Sequence, residues 1–193
     1  MNLPNKLTLF RILMVPVIMV LLIVPLPISE TAMRIATAAV FFVTAVTDFI
    51  DGRLARRYNQ VTDFGKFLDP LADKFLIIAS LLGILYRFDA LRPYFVWATA
   101  IVIFREFAVT SVRMIAANKA GLVIAASWLG KFKTLSQMVC VLVTLLEPLL
   151  VPTDFFIAHT PLTLIFLVIM SIMTIWSGTD YMIKYWPYIG KTK

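Results

Sequence analysis

Residues 48–73 read D-F-I-D-G-R-L-A-R-R-Y-N-Q-V-T-D-F-G-K-F-L-D-P-L-A-D and contain five of the eleven acidic residues in the chain. Apolar sequence flanks this acidic stretch on both sides, at residues 35–46 and 75–85. Because carboxylates are costly inside a membrane, an acidic cluster between apolar segments indicates a functional site. The acidic stretch therefore predicts membrane-spanning helices built around one polar site.

The spacing of the carboxylates within this stretch predicts how they are arranged. One pair of aspartates is three residues apart and the other pair is four apart, so each pair shares one face of a helix. Two helices joined by a short loop can direct all four carboxylates at one spot, where they repel one another unless divalent cations lie among them. Carboxylate oxygens at this density suit Mg²⁺ or Mn²⁺. The predicted metal ligands are Asp48, Asp51, Asp69 and Asp73.

The composition extends this interpretation to the whole chain. Of its 193 residues, 61% are hydrophobic and only 15% are charged, and apolar segments of nearly bilayer-spanning length recur throughout. We expect a single all-α domain, residues 1–193, that is a polytopic integral membrane protein. Residues 1–6 are expected to form a polar lead, and Pro148 and Pro152 to close the fifth helix. The six predicted transmembrane helices are 7–24, 32–57, 63–86, 93–117, 128–146 and 162–184.

The basic residues predict the orientation of these helices. If both termini are cytoplasmic, only Arg34, Arg87 and Arg92 lie outside, and the other fifteen of the eighteen basic residues lie at or near the inner ends. This bias follows the positive-inside rule and puts the acidic stretch at the cytoplasmic side. The net charge of +7 is therefore assigned to topology and anionic ligands, and not to nucleic acid.

The acidic stretch also resembles a known family. Its pattern, D-x₂-D-G-x₂-A-R-x₈-G-x₃-D-x₃-D, matches the signature of the CDP-alcohol phosphotransferases at all eight fixed positions. The resemblance implies that a CDP-linked lipid is joined to an alcohol and that CMP is released. It implies two divalent ions that share Asp48, Asp51 and Asp69, with Asp73 completing the second site and acting as general base.

The same resemblance implies a binding site for the CDP-linked lipid. The small residues Gly52 and Ala55 let the nucleotide approach the backbone closely, and Arg56 can bind phosphate oxygens. Other interpretations stay open: an ion-pair network for the aspartates, helix packing for the glycine, and helix capping for the two N-terminal residues. The predicted lipid-binding residues are Asn5, Thr8, Gly52, Ala55, Arg56 and Thr62.

A second group of basic residues predicts the binding of another anion. Arg105 and Arg113 fall on one stripe of the fourth helix, and Lys131 and Lys133 open the fifth. Cationic side chains that converge on the cytoplasmic side suit the phosphate of a phosphorylated alcohol. The alternative is that they anchor the helix ends in the membrane surface, with Arg105 and Glu106 forming a surface pair.

Three further segments, 2–11, 105–113 and 130–137, resemble bacterial phosphatidylglycerophosphate synthases, a branch of the same family. This closer resemblance implies CDP-diacylglycerol and sn-glycerol 3-phosphate as substrates, a homodimer, and a place in the bacterial cytoplasmic membrane. Two alternatives remain open from the sequence. The acceptor could be inositol phosphate, serine or phosphatidylglycerol, or the intramembrane aspartates could line a divalent-cation transporter.

Overall fold

A computed structural model describes residues 3–57, 63–120, 128–150 and 160–189, and this part of the chain is all-helical. The prediction of an all-α fold is confirmed for these residues. A short 3-10 helix, Asp89–Leu91, precedes the fourth α-helix. The α-helices are α1 (Leu3–Ile23), α2 (Glu30–Arg57), α3 (Asp63–Arg87), α4 (Arg92–Ala120), α5 (Trp128–Leu150) and α6 (Pro161–Ile189).

Five segments of the described chain are long and apolar enough to cross a membrane, and the protein is a multi-pass membrane protein. They lie in α1, α2, α4, α5 and α6. Helix α3, the third of the six predicted spans, is not among them because its charged residues leave too few consecutive uncharged residues. These residues are Asp63, Lys66, Asp69, Asp73, Lys74 and Arg87. The five segments are Asn5–Ile23, Glu30–Thr47, Asp89–Ile115, Trp128–Leu150 and Pro161–Trp186.

Three of the predicted helix limits are wrong by four residues or more, and one of them is the end of α6, which lies at Ile189 instead of 184. Helix α1 begins at Leu3, so residues 3–6 are helical and do not form an extended lead. Helix α5 continues to Leu150, with Pro148 inside it, instead of ending before that proline. Pro152 lies outside the described residues.

The packing of the helices brings distant parts of the sequence together. Helix α1 packs against α2 and α3, α4 packs against α3 and α6, and α5 packs against α2, α3 and α6. At Gly83 of α3, an added Cβ would lie 2.5 Å from Leu22 Cδ1, so a glycine lets α1 and α3 approach closely. Large apolar side chains such as Phe42, Trp97 and Phe104 are exposed on the outside of the bundle, as expected for surfaces that face lipid.

Glu147 caps the start of α6 from the neighbouring helix α5. Its carboxylate accepts hydrogen bonds from the backbone N–H groups of Leu162 (2.8 Å) and Thr163 (2.7 Å) and from the Thr163 hydroxyl (2.6 Å). The first N–H groups of a helix have no partner within the helix, and a negative charge near them is favourable. The buried carboxylate of Glu147 therefore stabilises the connection between the last two helices.

Arg34 compensates for the proline inside α5. Pro148 has no N–H, so it cannot donate to the carbonyl of Thr144, four residues earlier. The Arg34 Nη1 of α2 donates a hydrogen bond to this carbonyl instead, at 3.2 Å. The guanidinium also pairs with Glu30 and lies 4.1 Å from the centre of the Phe88 ring. Arg34 was predicted only to lie on the outer side of the membrane. In the structure it supplies the hydrogen bond that Pro148 cannot donate, and α5 continues past this proline.

We expect Arg34→Leu to destabilise the protein by about 1–3 kcal/mol, because a buried carbonyl loses its hydrogen-bond donor. Thermal unfolding in detergent would measure this as a lower midpoint. The matched control is Lys184→Leu, which removes an exposed cation near the C-terminal end of α6. An equal shift in both variants would contradict a specific role for the contact between Arg34 and Thr144.

Candidate active site

The acidic stretch and the N-terminal helix meet at one end of the bundle. Asp69 and Asp73 lie one turn apart on α3, about 6 Å along its axis. The buried hydroxyl of Thr8 in α1 donates a hydrogen bond to Asp69 Oδ1 at 2.6 Å. Asn5 is buried one turn before Thr8. Thr8 of α1 therefore lies beside Asp69, one of the second pair of aspartates.

The interpretation of Asn5 and Thr8 as caps of the first helix is wrong. Helix α1 begins at Leu3, so both residues lie inside its first two turns and not before them. Their side chains face the interior of the bundle, where Thr8 contacts Asp69. Their predicted contact with the CDP-linked lipid stays a prediction.

The first pair of aspartates lies at the end of α2. The structure describes only the helical backbone at the end of α2, so the surroundings of the predicted site residues there lie outside the described part, as does the whole of Thr62. These residues are Asp48, Asp51, Gly52, Ala55 and Arg56. Among the side chains that are described, no three carboxylate, histidine or cysteine groups come together as a metal site. Since that search does not cover two of the four predicted ligands, the divalent-metal site stays a prediction.

The second predicted cluster is buried around Glu106, which sequence reasoning had considered only as a surface partner. Its Oε1 lies 3.1 Å from Arg105 Nη1 and forms an ion pair with Lys133 of α5. Its Oε2 lies 3.9 Å from the ammonium of Lys74 in α3, which also donates to Thr110. Only 9% of the Glu106 side chain and 7% of the Lys133 side chain are exposed, so the surface-pair interpretation is wrong. We call Lys74, Arg105, Glu106 and Lys133 the Glu106 cluster.

Helix α6 orients the two arginines of α4. Arg105 Nη2 donates to Ser177 Oγ at 2.6 Å, and Arg113 Nη2 donates to the Tyr181 hydroxyl at 2.6 Å. An added Cβ at Gly178 would lie 3.0 Å from Arg105 Cγ, so this position leaves little room for a larger residue. Within the described part of the chain, the buried Nε of Arg105 has no hydrogen-bond partner.

A small internal cavity joins the two predicted sites. It has a volume of about 10 Å³, and its polar lining includes Asp73, Lys74, Glu106, Lys133 and Gln137. The predicted general base and one of the predicted phosphate-binding lysines therefore face the same space. This volume is about enough for one water molecule. The cavity therefore shows where Asp73 and Lys133 come close together, but it is too small to hold an alcohol phosphate.

Lys131 is not part of this cluster. Its side chain is exposed, and its ammonium lies 4.9 Å from the centre of the Trp128 ring. Two of the four basic residues predicted to bind one anion, Arg105 and Lys133, contact Glu106. Arg113 lies about two turns further along α4 and contacts Tyr181. Sequence reasoning missed Lys74 and Ser177 as members of this cluster, and it considered Glu106 only as a surface partner.

Comparison with known proteins connects this geometry to a family. A family model described as CDP-alcohol phosphatidyltransferase matches residues 1–176. The chain is 40% identical to a CDP-diacylglycerol–glycerol-3-phosphate 3-phosphatidyltransferase of Bacillus subtilis strain 168, over 96% of this chain and 95% of that protein. It is 35% identical to the protein of the same name from Escherichia coli K12, over 94% of this chain and 93% of that protein.

Proposed function

Because the chain belongs to the CDP-alcohol phosphatidyltransferase family, we propose that it transfers the phosphatidyl group of CDP-diacylglycerol to sn-glycerol 3-phosphate. The products are phosphatidylglycerophosphate and CMP. Relatives at 35–40% identity carry the name of this activity. The observation that carries the proposal is that Asp73 and Lys133 line the same small cavity, because this places a carboxylate that can act as a base next to a buried cation that suits a phosphorylated acceptor.

In the proposed reaction, the cations bind the acceptor and Asp73 activates it. The phosphate of glycerol 3-phosphate is held by charge-assisted hydrogen bonds from Arg105 and Lys133. The C1 hydroxyl then lies near Asp73, whose carboxylate takes its proton. The hydroxyl oxygen attacks the phosphorus that bears diacylglycerol, a new P–O bond forms, and the bond from that phosphorus to the oxygen of CMP breaks. CMP leaves with the bonding electrons.

The donor substrate is assigned to the acidic stretch and the N-terminal segment. Asp48, Asp51, Asp69 and Asp73 would hold two divalent ions, Mg²⁺ or Mn²⁺, which neutralise negative charge on the pyrophosphate. The oxygen donors of Asp69 and Asp73, one turn apart on α3, fit this chemistry. CDP-diacylglycerol is proposed to contact Asn5, Thr8, Gly52, Ala55, Arg56 and Thr62.

The proposal includes an arrangement in the membrane. Helix α3 also spans the membrane, which gives six spans in all, and both termini are cytoplasmic. The protein is a homodimer in the bacterial cytoplasmic membrane, with its active site facing the cytoplasm. The basic residues support this orientation. Charged side chains at the site end belong to α3, α4 and α5, whereas Arg34 and Glu147 lie at the opposite end. The cytoplasmic end of the bundle, which carries the site, is where a water-soluble acceptor and a lipid donor can both reach the same residues.

The test is CMP release by the purified protein with CDP-diacylglycerol and Mg²⁺ or Mn²⁺. Glycerol 3-phosphate is compared with inositol phosphate, serine and phosphatidylglycerol as acceptors, and each reaction is repeated with excess chelator. We expect turnover with glycerol 3-phosphate alone, abolished by the chelator. Turnover with a different acceptor would contradict the assigned substrate but keep the chemistry. No turnover with any acceptor, together with divalent-cation flux into liposomes, would favour the transporter alternative.

A further inference from the structure

Three cations from three different helices surround the carboxylate of Glu106. Lys74 comes from α3, Arg105 from α4 itself, and Lys133 from α5. The carboxylate is the shared partner of all three, with Arg105 and Lys133 on Oε1 and Lys74 on Oε2. Glu106 therefore links side chains of α3, α4 and α5 at one point.

The charges in the cluster are unequal. Three positive groups face the carboxylate of Glu106, and the carboxylate of Asp73 lines the same cavity, so three positive charges lie near two negative ones. Excess charge in a buried place is unfavourable unless a partner of opposite sign is present. A phosphate monoester carries about −1.5 to −2 charges at neutral pH. The cluster thus has an excess of positive charge, which favours the binding of a phosphorylated alcohol.

The donors in the cluster are only partly used. Of the Arg105 guanidinium, Nη1 contacts Glu106 and Nη2 contacts Ser177, while the buried Nε has no hydrogen-bond partner in the part of the chain that the structure describes. The Lys133 ammonium has three N–H donors, one of which is directed at Glu106. Glu106 and Ser177 hold the Arg105 guanidinium, Glu106 holds the Lys133 ammonium, and two N–H groups of that ammonium are left for a ligand.

We propose that Glu106 is a positioning residue of the acceptor site, whose carboxylate fixes Arg105 and Lys133 for binding the phosphate of the acceptor. This inference rests on the proposed function, in which that acceptor is glycerol 3-phosphate. Glu106 does not touch the substrate in this proposal. It acts through the cations that do.

Two substitutions separate the position of the carboxylate from its charge. Glu106→Asp keeps the charge but withdraws the carboxylate by one methylene, and Glu106→Gln keeps the length but removes the charge. We expect the KM for glycerol 3-phosphate to rise about fivefold with Asp and about tenfold or more with Gln. The KM for CDP-diacylglycerol should stay at the wild-type value in both, because the donor is assigned to other residues.

The control is Glu30→Gln, which removes a carboxylate from an ion pair with Arg34 at the opposite end of the bundle. It should leave both KM values unchanged. If Glu106 only stabilised the fold, the active fraction of enzyme would fall without a selective change in the KM for the acceptor. An acceptor KM at the wild-type value in Glu106→Asp, or a lower one in Glu106→Gln, would overturn the positioning role.

The wild-type enzyme is measured first, so that two kinds of failure can be told apart. No turnover of glycerol 3-phosphate by the wild type would overturn the proposed function and this inference with it. Wild-type turnover with an unchanged acceptor KM in the variants would overturn the inference alone. If Glu106→Gln does not fold because Lys133 loses its buried partner, Glu106→Asp, which keeps the charge, still decides the outcome.

Discussion

Replacing Asp73 by asparagine is expected to lower the rate of CMP release by about a thousandfold or more. General base catalysis alone contributes about 10²–10⁴-fold, and in the proposed site Asp73 is also a metal ligand. Asparagine has nearly the same size, so the packing around the cavity between α3, α4 and α5 should be preserved. CMP release from CDP-diacylglycerol with saturating glycerol 3-phosphate measures the effect.

Raising the Mg²⁺ or Mn²⁺ concentration separates the two roles of Asp73. If the asparagine variant lost only metal affinity, excess metal would restore the rate; if it also lost the base, the rate would stay low. We expect little recovery. The control is Asp89→Asn, which makes the same change at an exposed aspartate paired with Arg92, away from the site. Near wild-type turnover by Asp73→Asn would remove this residue from the chemistry.

The second large effect is expected for Arg105→Lys, which keeps the charge but loses the planar guanidinium. The guanidinium contacts Glu106 and Ser177 at once and has a further donor at Nε, and a lysine ammonium cannot reproduce this geometry. A hydrogen bond to a charged group contributes about 1.5–3 kcal/mol, so the KM for glycerol 3-phosphate should rise about 10- to 100-fold.

Steady-state kinetics with each substrate varied in turn would measure this change. The KM for CDP-diacylglycerol should change much less than that for the acceptor. Arg92→Lys, at an exposed arginine next to the 3-10 helix, is the matched control and should behave as the wild type. Equal increases in both KM values would show that Arg105 maintains the general shape of the site instead of binding the acceptor.

The sequence predicted the parts of the site that depend on helix periodicity. Asp69 and Asp73 share one face of α3 because four residues complete about one turn. The same rule separates Lys131 from Lys133, since residues two apart on a helix point in directions about 200° apart. Only Lys133 therefore reaches Glu106. The two-residue spacing already indicated that the two lysines would point in different directions, so the prediction that both bind one anion was wrong for Lys131.

Other features depend on contacts that no local pattern contains. An acidic residue in an apolar helix was a signal for Glu106, but its partners Lys74 and Lys133 come from other helices. The continuation of α5 past Pro148 depends on Arg34, which lies 110 residues before the Thr144 carbonyl that it contacts. A proline read by itself predicts a helix end. Only the packing of α2 against α5 supplies the missing donor.

The contact between Arg34 and the Thr144 carbonyl has an evolutionary consequence. Any residue other than proline at position 148 would donate its own backbone N–H to that carbonyl. A hydrogen-bond donor at position 34 would then no longer be needed there. Across an alignment of relatives, arginine at the position of Arg34 should therefore accompany proline at the position of Pro148. Lineages that lost the proline should show varied residues at position 34, and proline without a donor there should be rare.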